Sequence, residues 1–448
     1  MKQRSFRPSP TAASKFASHE NISRRQFMQA GAGIATFGLG AIKLLGTEEK
    51  SPYRRPNILY VFSDMQRATS LWCYGDPNVR TPALDVFARQ GARFDAAMSN
   101  TPVCCPHRAC LMTGLYSHHH GVVSNGVNFT RKACGLAEQF RDAGYITGYS
   151  GKWHIPPGYG SEDSMPLGFP RDEAGDRKRA GKPAHGHYVV ITVRDENGRE
   201  IEKEVYRPTL MTDKAIRFIE ENSKGRAPWL FFLSWIPPHT PYAAPKEFRQ
   251  HYEGELKLAP NVPEGLSTEY ARACLPDYYG MVESLDVEFK RILDVLERAG
   301  VAKDTIVCYS SDHGDMVGSH GYKAKRWPHE ESARVPFLIR YPRAVPDGQV
   351  IADPFSTVDV YPTLAGLAGI KPPAGIDGLD YSQLLTGKAT TGDIKNWLPG
   401  GSKQKSQNLG VPWPGGQVEA AKEESGGGRK RKKGGQRKAD STAADNGE

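Results

Sequence analysis

Short apolar runs alternate with helical stretches along most of the chain, and the apolar runs end in polar residues. Runs typical of buried strands cover residues 56–62, 145–150, 229–235, 305–311 and 335–341. Helical stretches cover 81–90, 134–144, 209–222 and 282–296, and a hairpin is predicted over 189–205 around Asn197-Gly198. Strands that alternate with helices predict an α/β sandwich with a mostly parallel central sheet flanked by helices.

Charged and polar side chains follow the predicted strands at their carboxyl ends. In chain order these are Asp64, the pair Lys152 and His154, His239 after two prolines, and the pair Asp312 and His313. Open α/β sheets place their sites at this edge. The pattern therefore indicates one site built from several strand ends.

A cysteine-rich segment, Cys104-Cys-Pro-His-Arg108, lies outside these strands. The chain has seven cysteines, and three of them fall within residues 104–110. Pro106 is predicted to start a helix that ends near Gly114, with Cys104 just before the helix, where backbone N–H groups favour an anion. Arg108 would add a fixed charge one turn later. From this segment alone, a buried structural cysteine is an equally good interpretation.

The net charge of +9 belongs to the two ends of the chain. Residues 51–400 carry equal numbers of basic and acidic side chains, so no specific nucleic-acid partner is expected. Residues 386–448 are rich in glycine and basic residues, which predicts a low-complexity, disordered tail. The expected domains are a signal segment over 1–50, a catalytic domain over 51–385 and this tail.

The N-terminal segment predicts export from the cytoplasm. Arg24-Arg25 precede a glycine-rich apolar run from Ala30 to Leu45, which resembles a twin-arginine signal. The alternative is a disordered basic tail with a chance arginine pair. We expect a periplasmic or extracellular protein that uses the export machinery, tethered to the membrane if the signal is not cleaved.

The motifs together resemble the sulfatase family of the alkaline-phosphatase-like superfamily, from about Arg55 to Leu385. The family signature stands here as Cys104, Pro106 and Arg108, followed by Leu111-Met-Thr113-Gly114. In that family the cysteine is oxidised by a formylglycine-generating enzyme, and the hydrated aldehyde is the nucleophile. His107 stands where serine or alanine is usual.

The resemblance also implies roles for the other residues. Asp64, Asp312, His313 and the side chain at Cys104 would bind one Ca²⁺ ion, and Met65 stands where the family usually has aspartate or glutamine. A thioether is a poor ligand for a hard cation, and Gln66 is a candidate replacement. The catalytic roles fall on six residues, Cys104, Arg108, Lys152, His154, His239 and Lys325. The implied reaction is hydrolysis of a sulfate monoester on a small molecule or, as we expect, a glycan.

Two departures from the family keep other functions open. Residues 386–448 do not resemble the usual antiparallel C-terminal subdomain, which we expect to be absent or degenerate. One alternative is a phosphonate monoester or phosphodiester hydrolase of the same fold. The other is a non-catalytic binding protein that has lost the metal ligand at position 65, now Met65, together with the C-terminal lobe.

Overall fold

In the computed structural model, which describes residues 55–130, 134–155, 182–183, 186–390 and 393, a buried strand forms the centre of the sheet. All eight residues of this strand, β1 (Asn57–Asp64), are buried. The sheet has seven strands in the order β11-β2-β10-β9-β1-β8-β4. Its other strands are β2 (Ala92–Phe94), β4 (Ile146–Gly151), β8 (Trp229–Pro238), β9 (Thr305–Ser311), β10 (Phe337–Arg340) and β11 (Gln349–Ile351).

The strand pairing confirms a largely parallel sheet. β1 pairs in parallel with β8 and β9, and β4 pairs in parallel with β8. β10 is antiparallel to both of its neighbours, β9 and β2. The four strands from β9 to β4 therefore end at the same edge of the sheet.

Helices cover both faces of the sheet, as the alternation of strands and helices predicted. Their bounds are α1 (Pro82–Arg89), α2 (Cys104–Thr113), α3 (Ser117–His120), α4 (Leu136–Asp142), α5 (Arg207–Asn222), α6 (Lys246–Arg249), α7 (Leu266–Arg298), α8 (Glu330–Ala333), α9 (Val360–Leu367) and α10 (Ser382–Leu385). Alternate residues of β1 point to opposite faces. Ile58, Tyr60 and Phe62 share a core with α2, α4 and α9. Leu59 and Val61 share the other core with α1, α5 and α7.

The longest helix, α7, begins earlier than the sequence pattern predicted. The apolar stripe indicated a start near Val282, but the helix runs for 33 residues from Leu266 and contains Pro276. Cys274, Leu275 and Tyr278 are buried on either side of the proline. Their packing keeps the chain helical although proline removes one backbone hydrogen bond.

A small antiparallel sheet lies outside the main one. It contains β5 (Lys182–Pro183) and the hairpin of β6 (Tyr188–Arg194) and β7 (Glu200–Tyr206), which forms at the predicted Asn197-Gly198 turn. Two further short strands, β3 (Ala97–Met98) and β12 (Phe355–Ser356), pair in parallel with each other. The hairpin has a mostly exposed surface and a buried base.

The predicted export signal over 1–50 and nearly all of the predicted tail over 386–448 lie outside the described residues. The expected loss of the C-terminal subdomain concerns the same region and stays a prediction. Among the helices that the structure describes, none is long and apolar enough to cross a membrane. The described residues belong to a unit that the internal contacts delimit as Met1–Leu398.

Candidate active site

Four neighbouring parallel strands deliver the predicted site residues to one place. Asp64 is the last residue of β1, and Asp312 and His313 follow β9. Lys152 directly follows β4, and His239 directly follows β8. The sequence prediction of one site at the carboxyl edge of the sheet therefore matches the structure.

Cys104 enters this cluster from α2 rather than from a strand. The helix begins at Cys104 itself, so the prediction that this residue lies just before a helix starting at Pro106 was wrong by one half-turn. Because Pro106 is only the third helical residue, its missing N–H costs no helical hydrogen bond. The N–H of Cys105, one residue before the proline, donates to Asn125 Oδ1 at 3.1 Å. The helix ends at Thr113 and is capped by Gly114 at a φ of 65°, which agrees with the predicted end near Gly114.

The Cys104 thiol lies among acidic, basic and imidazole groups. Its Sγ atom is 3.3 Å from His313 Nε2 and 3.7 Å from Asp64 Oδ1. Two ammonium groups approach it, Lys325 Nζ at 3.1 Å and Lys152 Nζ at 3.5 Å. Cys104 is 1% exposed, so these groups act on one another with little water between them.

The surroundings of Cys104 favour a negative charge at that position. Burial and the Asp64 carboxylate would raise the pKa of the thiol, but hydrogen bonds with His154, His239 and His313 lower it to about 2. The hydrogen bonds of the His154 side chain to Cys104 and Cys105 raise its pKa to about 9. His154 itself is exposed, and its carbonyl oxygen accepts a hydrogen bond from Cys105 Sγ at 2.7 Å. An anionic group at position 104 is thus matched by cationic neighbours.

The residues that the family resemblance assigned to a metal ion lie together in the structure. One ligand atom from each of Asp64, Cys104, Asp312 and His313 falls within 4.8 Å of the others, and all four residues are buried. Burial raises the pKa of Asp64, but Lys152 and Arg108 hold it well below its usual range. Burial and the charge of Asp64 raise the pKa of Asp312. Two buried carboxylates that repel each other, with an imidazole beside them, form a donor set that suits a divalent cation.

Met65, at the position where the family has a ligand, and Gln66, the candidate replacement, differ in their surroundings. Met65 is buried in the left-handed region at a φ of 70°, and its N–H donates to Asp312 Oδ1 at 3.2 Å. Gln66 Oε1 already accepts hydrogen bonds from Ser63 Oγ at 2.8 Å and Tyr309 OH at 2.7 Å. Both lone pairs of the amide oxygen are used, so the geometry does not favour Gln66 as a ligand.

Arg108 ties the two carboxylates to the strand ends. Its guanidinium contacts Asp64 Oδ2 at 3.1 Å and Asp312 Oδ2 at 2.9 Å. It also donates to the carbonyl of Lys152 at 2.5 Å and to Ser234 Oγ at 2.7 Å. Arginine offers five donors in a fixed plane, and here they reach β1, β8 and the residues directly after β4 and β9.

His239 and Lys325 form the outer side of the site. Lys325 Nζ lies 3.1 Å from His239 Nε2, the same distance as from Cys104 Sγ. His239 Nδ1 is 2.7 Å from the Thr240 carbonyl, which can only accept, so this nitrogen carries the hydrogen and Nε2 is free to accept a proton. Ala324 and Arg326 flank Lys325 at φ values of 57° and 80°, a strained backbone that holds the lysine toward Cys104.

Sequence reasoning did not identify three polar contributors to the site. Ser234 accepts from Arg108, and it is the one polar residue in the otherwise apolar run 229–236, a signal that was available. Asn125 binds the start of α2 from a loop and left no signal. Ser99 Oγ donates to the Asp312 carbonyl at 2.8 Å and lies 2.9 Å from His107 Nδ1. His107, the departure from the usual signature, is therefore a buried structural partner of this loop.

Comparison with known proteins identifies similar chains. Residues 56–370 match the Sulfatase family. The chain is 34% identical over 348 residues to an ulvan-active sulfatase of Formosa agariphila. The aligned region covers 77% of this chain and 67% of that protein. The chain is 26% identical over 419 residues to an N-acetylglucosamine-6-O-sulfatase of Bacteroides thetaiotaomicron, covering 77% and 73%. The solved structure of the yidJ protein of Bacteroides fragilis superposes with a TM-score of 0.63 at 26% identity, covering 77% and 81%.

Proposed function

The chain belongs to the sulfatase family, whose members hydrolyse sulfate esters, and we propose that its substrate is a sulfated carbohydrate. The observation that carries this assignment is the position of Cys104 Sγ, within 3.7 Å of a carboxylate, an imidazole and two ammonium groups. The named substrate of the Bacteroides thetaiotaomicron relative contains an amino sugar, which supports a carbohydrate. The fold is that of the alkaline-phosphatase-like superfamily.

We propose that Cys104 is converted to formylglycine by a formylglycine-generating enzyme. Its Sγ atom then marks where the oxygen of the modified side chain would lie. Formylglycine supplies an oxygen nucleophile whose second hydroxyl allows the sulfate to be released and the aldehyde to be restored. The cationic groups around Sγ fit an oxygen that carries negative charge.

We propose that Asp64, Asp312, His313 and the side chain at 104 hold one Ca²⁺ ion. Carboxylate oxygens are the ligands that this cation prefers, and the four donor atoms already lie within 4.8 Å of one another. Bound there, a divalent cation supplies positive charge that offsets the sulfate and polarises one of its oxygens.

The remaining steps follow from the side chains of the chain itself. Lys152 and Lys325 place positive charge on two sides of position 104, where they would bind the sulfate oxygens and lower their repulsion toward a nucleophile. His239, once protonated from solvent at Nε2, would give that proton to the leaving alcohol, while the Thr240 carbonyl keeps the hydrogen on Nδ1. His154, exposed at the entrance, would take up the proton when sulfate is released.

The proposed reaction is tested by comparing esters that share one aryl leaving group and differ in the group that is transferred. We expect the mature protein to hydrolyse an aryl sulfate at least about 100-fold faster than the matching aryl phosphate, because the phosphate dianion brings a second negative charge beside Asp64 and Asp312. The matching phenylphosphonate monoester is a monoanion like the sulfate, so its rate tests the alternative hydrolase directly. A glucosamine 6-sulfate oligosaccharide should release sulfate measurable by ion chromatography. Faster turnover of the phosphonate would favour the phosphonate monoester hydrolase instead, and no turnover with formylglycine present would favour a binding protein.

Removing one carboxylate should weaken the metal site and the activity together. Asp312→Asn is expected to lower Ca²⁺ affinity by at least about 100-fold, since a neutral amide replaces a buried anionic ligand. Isothermal titration of chelator-treated protein measures this. Asp315→Asn is the matched control, because Asp315 is equally buried but binds Tyr242 OH at 2.6 Å rather than the cluster. Equal affinity in the two variants would mean that the ion lies elsewhere.

A further inference from the structure

His187 is a buried histidine that lies outside the catalytic cluster. It precedes β6 at the base of the hairpin and is 2% exposed. Its Nε2 atom lies 2.7 Å from the carbonyl oxygen of His239. A carbonyl only accepts hydrogen bonds, so His187 Nε2 carries the hydrogen. Burial also lowers the pKa of His187 to about 4, which keeps the ring neutral above that pH.

The position of His187 is fixed independently of His239. Its carbonyl accepts from the Arg207 N–H at 2.9 Å, where α5 begins. The next residue, Tyr188, pairs with Tyr206 across the hairpin. The backbone of His187 is therefore held by β6, β7 and the start of α5, independently of its side-chain contact with His239.

The His239 segment has few donors of its own. Pro237, Pro238 and Pro241 carry no N–H group. The His239 N–H is already donated to the Ile236 carbonyl at 3.1 Å, and the ring Nδ1–H to the Thr240 carbonyl at 2.7 Å. The carbonyl of His239 thus takes its hydrogen bond from another part of the chain, and His187 supplies it.

We infer that His187 is a positioning residue, which holds the backbone of His239 so that its Nε2 meets the leaving-group oxygen. The inference rests on the proposed role of His239 as proton donor. Proton transfer requires hydrogen-bond reach between the two heavy atoms, and a displacement of about 1 Å is enough to slow such a step. The side chain of His187 in this way connects the base of the hairpin to the backbone of His239.

The test is the dependence of rate on the leaving group. We expect His187→Leu to lower kcat/KM by about tenfold on an alkyl or unsubstituted phenyl sulfate, and by less than about twofold on a nitrophenyl sulfate. A nitrophenolate leaves without a proton, so it does not need His239. His187→Gln keeps an N–H donor at similar reach and should restore most of the rate on the poor leaving group.

Controls separate this inference from the proposed function and from a loss of stability. His251→Leu removes an exposed histidine that is far along the chain from His187 and binds Glu283 at 3.0 Å, and it should leave the leaving-group dependence unchanged. An equal fall on all substrates in His187→Leu, or no rescue by glutamine, would overturn the positioning role. His239→Ala should show a steeper dependence than His187→Leu. If it shows none, the role of His239 itself is wrong.

Discussion

Replacing Cys104 with alanine should lower the turnover of an aryl sulfate by on the order of 10⁴-fold or more, because the reacting group is lost. The fold should persist, since the side chain is small and α2 is held by the nine other buried residues of the helix. Turnover on an aryl sulfate and circular dichroism before and after substitution measure the two effects. Tryptic mass spectrometry across residues 99–108 of the unmutated protein should show a formyl group in place of the thiol.

The adjacent cysteine provides the control for this prediction. Cys105 Sγ binds the His154 carbonyl, whereas Asp64 and His313 contact Cys104 Sγ. Cys105→Ala should therefore keep most of the activity, and Cys105→Ser should keep the hydrogen bond as well. Equal losses in the alanine variants at 104 and 105 would contradict the assignment of Cys104 as the nucleophile.

Replacing Arg108 with methionine should destabilise the fold and abolish most of the activity. The guanidinium is 1% exposed, and its removal leaves the carboxylates of Asp64 and Asp312 buried with less positive charge. Breaking a buried ion pair in this way costs about 3–5 kcal/mol of unfolding free energy. Arg108→Lys should recover little of it, because one ammonium group cannot reach both carboxylates, Ser234 and the Lys152 carbonyl.

Urea unfolding and aryl sulfate turnover of the same preparations measure both consequences of the change at Arg108. Arg343→Met is the matched control, since Arg343 is 59% exposed and forms an ion pair with Asp304 at the surface. It should change the unfolding free energy by less than about 0.5 kcal/mol and leave turnover unaltered. If the change at Arg108 costs no more than that, the buried network does not stabilise the fold.

The strands and their ends were predictable because they leave local patterns. The run at 305–311 matches β9 to the residue, and the four strands that meet at the site were all identified. Strands of two or three residues, such as β3 and β11, were missed because so few positions show no period. The early turns of α7 were missed because Pro276 interrupts the helical pattern, and the packing of Cys274, Leu275 and Tyr278 keeps the helix intact.

Some residues of the candidate site could be predicted from local sequence patterns, and others reach the site only through tertiary contacts. Asp64, Lys152, His239 and Asp312 could be placed from the ends of strands, and the resemblance gave them roles. The contacts of Asn125 and His187 could not be foreseen, because each reaches the site from a loop or hairpin base without a motif. Gln66 was a reasonable ligand candidate by sequence, but the hydroxyls of Ser63 and Tyr309 occupy its oxygen.

The pairing of β1 also constrains when the site can form during synthesis of the chain on the ribosome. β1 emerges early, but its hydrogen-bonded neighbours include Trp229, 172 residues later, and Thr305, 248 residues later. The segment around Cys104 therefore leaves the ribosome long before the strands that bury it are synthesised. If Cys104 is modified as proposed, this interval would leave the segment open to the modifying enzyme until β9 joins the sheet.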